Sequence, residues 1–447
     1  MRKKVFANSC FDLLNLQHRF FSSAYKLRFS GWPRIIMQKA RPLPPIWMLG
    51  ITNASFGLTG GFCAVVIPDM LAAHGIPAGE IATIAALVLS PGFWAFLISP
   101  MLDVRLSRRT YALIFGGITA VAIALAVSNS ANPHIIEAVM IPGFLAANLY
   151  QGAVGGWMGS LISKQQDSEL GIWFSVSNLG AGGLMMVMAG ELLHHFSANT
   201  AAVLLGALVL LPMGFFVAIP SPPPDRTLAR ESFARFWSAV ASLLRQRKVI
   251  VALLLFLLPA ASFALTNVLG GAGNDFTASA REVSLLAGVG SSIAGLIGSF
   301  LLFPLARRIP LRPLYLAIGV IGALFTLSLI LLPRTPWAFA IAITGENLFQ
   351  ALAFSAANAI NFEVIGPKNP LAATLFTLLI SANNLPIVYM QYIDGRGYDH
   401  GGLRGSYLTD ACISIAVCAM LAWLLTRWRE IAKPTAPVLS TATENAE

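Results

Sequence analysis

The chain has 447 residues, 56% of them apolar and only 11% charged, where a soluble domain carries about 25% charged side chains. A deficit that large excludes a surface turned wholly to water and leaves lipid as the medium; the length then fits about twelve helices of roughly 20 residues with short loops. The net charge of +10 does not mark a nucleic-acid partner, because the basic residues fall between apolar runs and not along one polar face.

Residues 1–44 form a basic tail carrying Phe6, Cys10, Leu13, Leu14, Phe20 and Phe21 at near-helical spacing. It lacks the compact apolar core of a signal peptide. It reads as an interfacial helix, or as a disordered tail, or as an overextended start, since Met37 and Met48 could also initiate. Beyond it, ten segments contain no Asp, Glu, Lys or Arg: 42–68, 81–102, 110–136, 138–163, 170–190, 192–224, 249–274, 283–306, 313–333 and 369–393. Two more, 335–362 and 405–426, are interrupted by one acid each, Glu346 and Asp410. The runs are continuous rather than alternating and too long for barrel strands. A helix also satisfies its own backbone in lipid. The expected fold is therefore an all-α polytopic membrane protein of twelve transmembrane helices, with lipid as its surroundings.

The halves look like repeats. Pro100-Met101-Leu102-Asp103-Val104-Arg105, then Arg108 and Arg109, follows span two; Pro304-Leu305-Ala306-Arg307-Arg308, then Arg312, follows span eight. Glu80-Ile81 and Glu282-Val283 open those two spans. Parallel six-helix repeats are a mark of transporter folds. The expected division is a tail (1–44), a first bundle (45–220), a linker (221–248) opening with Ser221-Pro222-Pro223-Pro224, a second bundle (249–428) and a tail (429–447). With the N-terminus inside, the inner segments hold 26 of the 30 basic residues; only Arg281, Arg334, Arg396 and Arg404 fall outside. The positive-inside rule thus puts both termini in the cytoplasm.

Several polar groups within this frame are candidates for function. Asp103 with Arg105, Arg108 and Arg109 is either a conformational loop, pairing with the other bundle in one state only, or a topology signal. Span four sets Asn148, Gly152, Gly155 and Gly159 on one face, with Gln151 beside them, for close approach of a helix or a ligand. The stripe Gly288, Ser292, Gly295 and Ser299 in span eight reads as helix packing. Span eleven places Asn383 and Asn384 just before Pro386, as a gating bend or a structural kink. Glu346 lies about eleven residues into span ten, hence ~16 Å deep, where an ionised side chain costs roughly 2.5–3.5 kcal/mol. Glu346, Asn347, Gln350, Asn358 and Asn361 share an arc of about 120° on the helical wheel. Glu346 then lines a central cavity, binding a cationic or hydroxyl group or carrying a coupling proton, or it is a neutral structural Glu bonded to a neighbouring span.

The stretch from Gly75-Ile76-Pro77 and Glu80-Ile81 to Ser99-Pro100-Met101-Leu102-Asp103, and Gly345-Glu346-Asn347-Leu348 in span ten, resemble AmpG-type muropeptide permeases of the major facilitator superfamily, related to siderophore importers and acetyl-CoA transporters. The resemblance implies twelve spans, an inner-membrane location and proton-linked uptake. In that group acids tend to follow a Gln in span four; here Gln151 is followed by Gly152, Ala153, Val154, Gly155 and Gly156. No P-loop, nucleophile elbow or metal-ligand set occurs, and Cys10, Cys63, Cys412 and Cys418 form no CxxC pair. The reading is a monomeric secondary permease without a cofactor, not an enzyme. It moves a medium-sized polar solute by alternating access with protons as coupling ion. A non-transporting membrane receptor or scaffold is the alternative.

Overall fold

The computed structural model describes residues 43–220, 233–367 and 369–431, and among them every regular element is helical. The N-terminal tail to residue 42, the linker opening 221–232, Lys368 and the tail from 432 lie outside the described residues, together with the expectations placed there.

Among the described residues, nine stretches are long and apolar enough to cross a membrane, and three features bring the spans to twelve. The last stretch is two spans. Helix Ala372–Ile431 is broken at Gly402, whose φ of 60° and ψ of −153° no right-handed helix accommodates. The chain folds back there: Ser406 Oγ donates to the Asp394 carbonyl at 2.9 Å, and Gly397 lies against Gly405 so closely that a Cβ would not fit. Span four, Pro133–Leu161, is a continuous helix of 29 residues whose Asn, Gln and glycines dilute its hydropathy. Span seven is split into Arg247–Leu257 and Leu265–Gly271, with Phe263 at a φ of 48° in the break. The protein is thus a multi-pass membrane protein with six spans on each side of the linker. The later part of that linker, expected as loop, is helical: Phe233–Leu244 buries Val240 and Leu243.

Within the first half, span one packs on span five, and span three on spans four and six; within the second, span eight packs on ten, and nine on ten and on the 372–431 hairpin. Between halves, span five meets spans eight and ten, and span four meets span eleven. The apolar cores show how the halves join. One buried core draws on both halves, from Trp157, Leu170 and Phe174 to Phe362, Ala373 and Phe376. It lies at the end of the spans carrying the 98–107, 162–166 and 366–371 connections, here called the basic face. Towards the opposite face the halves have separate cores, one of Phe62, Met70, Met140 and Met185, the other of Leu265, Phe276, Phe339 and Tyr407. The halves therefore share an apolar core at the basic face and have separate cores towards the other, where span five still touches span eight at Gly183 with Ser292 and Met186 with Gly288.

Candidate functional site

The seal begins with glycines. Span four must approach span eleven with no side chain between them: a Cβ on Gly152, Gly155 or Gly156 would run into Thr377, Phe376 and the Ala373 backbone. Gly159 meets Phe362, and Gly171 of span five meets the Ala359 backbone of span ten. The glycine face of span four is therefore occupied by a helix. The span-eight stripe does the same, since Ser292 fills the space at Gly183 and Gly295 rests on Leu179. Where these spans converge, Phe174, Phe362 and Phe376 form a plug that the sequence did not single out. Their ring centroids are 4.9, 5.9 and 5.5 Å apart, and all three rings are buried.

Beneath the plug sits a charged latch. The Asp103 side chain is fully enclosed. Its Oδ1 accepts from Arg108 Nε at 2.9 Å and from the Ala373 amide at 3.2 Å. Its Oδ2 accepts from the Thr374 amide at 2.8 Å and the Thr374 hydroxyl at 2.7 Å. An acid of the first half thus caps the helix that opens span eleven in the second, where free amides and the helix dipole favour negative charge. Arg108 Nη2 donates to the carbonyls of Asn369 and Pro370, each at 3.0 Å, and Nη1 reaches the Gly156 carbonyl at 3.5 Å. Arg105, exposed at a φ of 68°, and Arg109 take no part. The matching corner of the second half is different: Arg312 pairs with Glu363 of its own half at 2.9 Å, and Arg307 stands where the first half has Asp103.

Span ten's polar arc divides among its neighbours. Glu346 is fully buried and turned to span nine, where the Thr326 hydroxyl donates to its Oε1 at 2.6 Å; Oε2 has no partner. Asn347 donates to its own helix at Ile343. Gln350 Nε2 turns to the break in span seven, donating to the Phe263 carbonyl at 3.2 Å and to Thr266 Oγ1 at 3.1 Å. Asn358 crosses to the first half and donates to Ser175 Oγ at 3.0 Å. Asn361 is buried with neither amide atom partnered. Asn148, Gln151 and Asn383 are buried and Asn384 half-buried, Asn148 donating to the Phe144 carbonyl of its own helix. The structure thus brings Gln350 to the span-seven break and Asn358 to the seam between halves, and encloses Glu346 inside the second half.

The break itself is stitched by side chains. The Leu257 carbonyl accepts from Tyr389 of span eleven at 2.8 Å, and the Ala260 carbonyl from Cys418 of span twelve at 3.2 Å. The sequence reading missed this interruption; Pro259, which cannot donate in a helix, is the signal that could have found it.

No protein-family model and no curated protein sequence matches the chain. Among solved structures, the chain is similar to the major facilitator superfamily proton:xylose symporter XylE bound to 6-bromo-6-deoxy-D-glucose. The TM-score is 0.62 and the identity 12%, over 85% of this chain and 96% of that one. The chain therefore has the major facilitator fold.

Proposed function

We propose that this protein is a secondary permease in which the bundles 45–220 and 249–428 rock about a central path, carrying a polar solute by alternating access with protons as coupling ion. The observation that carries the reading is the distribution of cores: one core shared between halves at the basic face and two separate ones at the other. That is the arrangement of a carrier closed on one side. The positive-inside rule makes the closed side the cytoplasm.

The latch supports the reading because it can be both strong and breakable. Charge-assisted hydrogen bonds in an enclosed site are about twice as strong as neutral ones. Those of Asp103 and Arg108 end largely on backbone groups of the 369–374 segment, which water can satisfy once the halves part. Opening then exchanges protein partners for water and leaves no buried charge stranded. For the solute class, the amides expected along the path, Gln350, Asn358 and Asn361, with no Lys or Arg within the span, suit hydroxyl and amide groups. Muropeptides and siderophores, the solutes implied by the sequence resemblance, and sugars, that of the structural neighbour, all present such groups.

An uptake panel in proteoliposomes of inner-membrane lipids tests this. Muropeptides, siderophores, short peptides and sugars would be compared with and without a proton gradient. Gradient-driven accumulation of one class is expected; no uptake of any of them would favour the receptor or scaffold.

A further inference from the structure

Glu346 is not the sole enclosed acid of the second half. Asp394 of span eleven is fully buried, and Asp410 of span twelve nearly so. Neither oxygen of Asp394 has a hydrogen-bond partner, and neither Oδ1 of Asp410 nor Oε2 of Glu346 has one. The three act on one another electrostatically, Asp394 with Asp410 and both with Glu346. The hairpin at Gly402 creates the cluster. It returns span twelve against span eleven, so Asp394 and Asp410 lie equally far from the turn, at ~12 Å. Glu346 lies ~15 Å below the start of its span at Pro336.

A second feature points at what the cluster takes. The Tyr407 hydroxyl, one turn from Asp410, is also buried and has no partner, although it acts on Glu346. An idle hydroxyl near Glu346, within a group of acids whose acceptor oxygens lack donors, marks a place whose hydrogens are not fixed by the fold. Among the described residues, the other charged groups acting there are Arg334 and Asp275 at the opposite edge, and Tyr398 holds Asp275 at 2.5 Å. Among the described residues no Lys or Arg is buried with the acids. Two adjacent carboxylates cannot both stay ionised in such a site without a counter-charge. The cluster also fails as a metal site: among the described residues no three His, Cys, Asp or Glu groups converge for one.

We infer that Asp394 and Asp410, with Glu346 below them, form a proton-binding site loaded from the opposite face. A proton arriving from outside is taken up by an Asp394 or Asp410 carboxylate, converting it to the acid, and it leaves from the same group when the bundle turns. The inference rests on the permease reading, to which it adds Asp394 and Asp410 as coupling groups.

Infrared difference spectra of the purified full chain in nanodiscs, taken between acidic and alkaline buffers, test it without any solute. The wild type should show a protonated-carboxyl C=O band that titrates, and Asp394→Asn and Asp410→Asn should each lose a component of it. Should an Asn variant fail to fold, Asp394→Glu and Asp410→Glu should instead shift the band. A band untouched by the Asn variants, unmoved by the Glu variants, or abolished on replacing potassium by sodium overturns the proposal. Failure of the uptake panel would leave these spectra as they are, so the two readings fail separately.

Discussion

In the proposed carrier, Asp103 is the residue that would hold the closed state. Its carboxylate meets four donors, three of them on the far half. Asp103→Asn keeps the shape but turns charge-assisted bonds into neutral ones and presents an NH2 group to backbone amides. The loss should be about 2 kcal/mol of closed-state stability, or roughly a 30-fold shift toward opening. Spin labels on the exposed positions Lys164 and Arg308, one in each half, would report it by pulsed electron resonance as a longer-distance population. Equal distance distributions in wild type and variant would reduce the loop to a topology signal. Glu346→Gln separates charge from shape, because the Thr326 hydroxyl still finds an oxygen there. The variant should bind solute as the wild type does, yet no longer concentrate it under a proton gradient. Normal accumulation with unchanged pH dependence would leave Glu346 as the structural residue its bond to span nine also allows.

At the scale of elements, glycine placement decides how near two helices come. Gly156→Ala puts a methyl group into the Ala373 backbone, so spans four and eleven must separate, at a cost of about 1–3 kcal/mol. Gly60→Ala, in span one, has open space before it and should change stability by less than about 0.5 kcal/mol. Thermal unfolding in detergent should therefore separate the two, with Gly156→Ala melting at the lower temperature; equal melting would contradict the tight seam. Element boundaries were legible only where charge marked an interface. A charge-free run ending at 393 placed Asp394 in a loop, whereas the helix continues to the break at Gly402. A buried acid inside a span looks, in one dimension, like the end of one. Similarly, 249–274 reads as a single span, although Pro259 is a signal from which its non-helical middle could have been read.

For the molecule as a whole, orientation is the property most exposed to test. Reporter fusions after residues 131, 225 and 430 should read outside, inside and inside, because basic residues resist translocation. An outside signal at 225 or 430 would invert the membrane sidedness and turn the closed face outward. The seal at one face also explains why the halves need not be rigidly joined elsewhere. Their separate cores each bury their own apolar surface, so parting the shared core leaves two folded bundles.

The sequence alone determined the medium, the count of spans and their helical state, because a bilayer about 30 Å thick imposes run length and charge exclusion residue by residue. It also marked Asp103, Arg108, Glu346 and the span-four glycines as unusual, since each breaks the rule for its surroundings. What each of them faces was settled only by tertiary structure. A helical wheel orders residues around one axis but carries no information on which neighbour lies at which angle. Thus one arc of span ten serves span nine through Glu346, span seven through Gln350 and the other half through Asn358. The Phe174–Phe362–Phe376 plug and the Asp394–Asp410 pair were invisible for the same reason. They are made by residues from different helices, and their chemistry exists only where those helices meet.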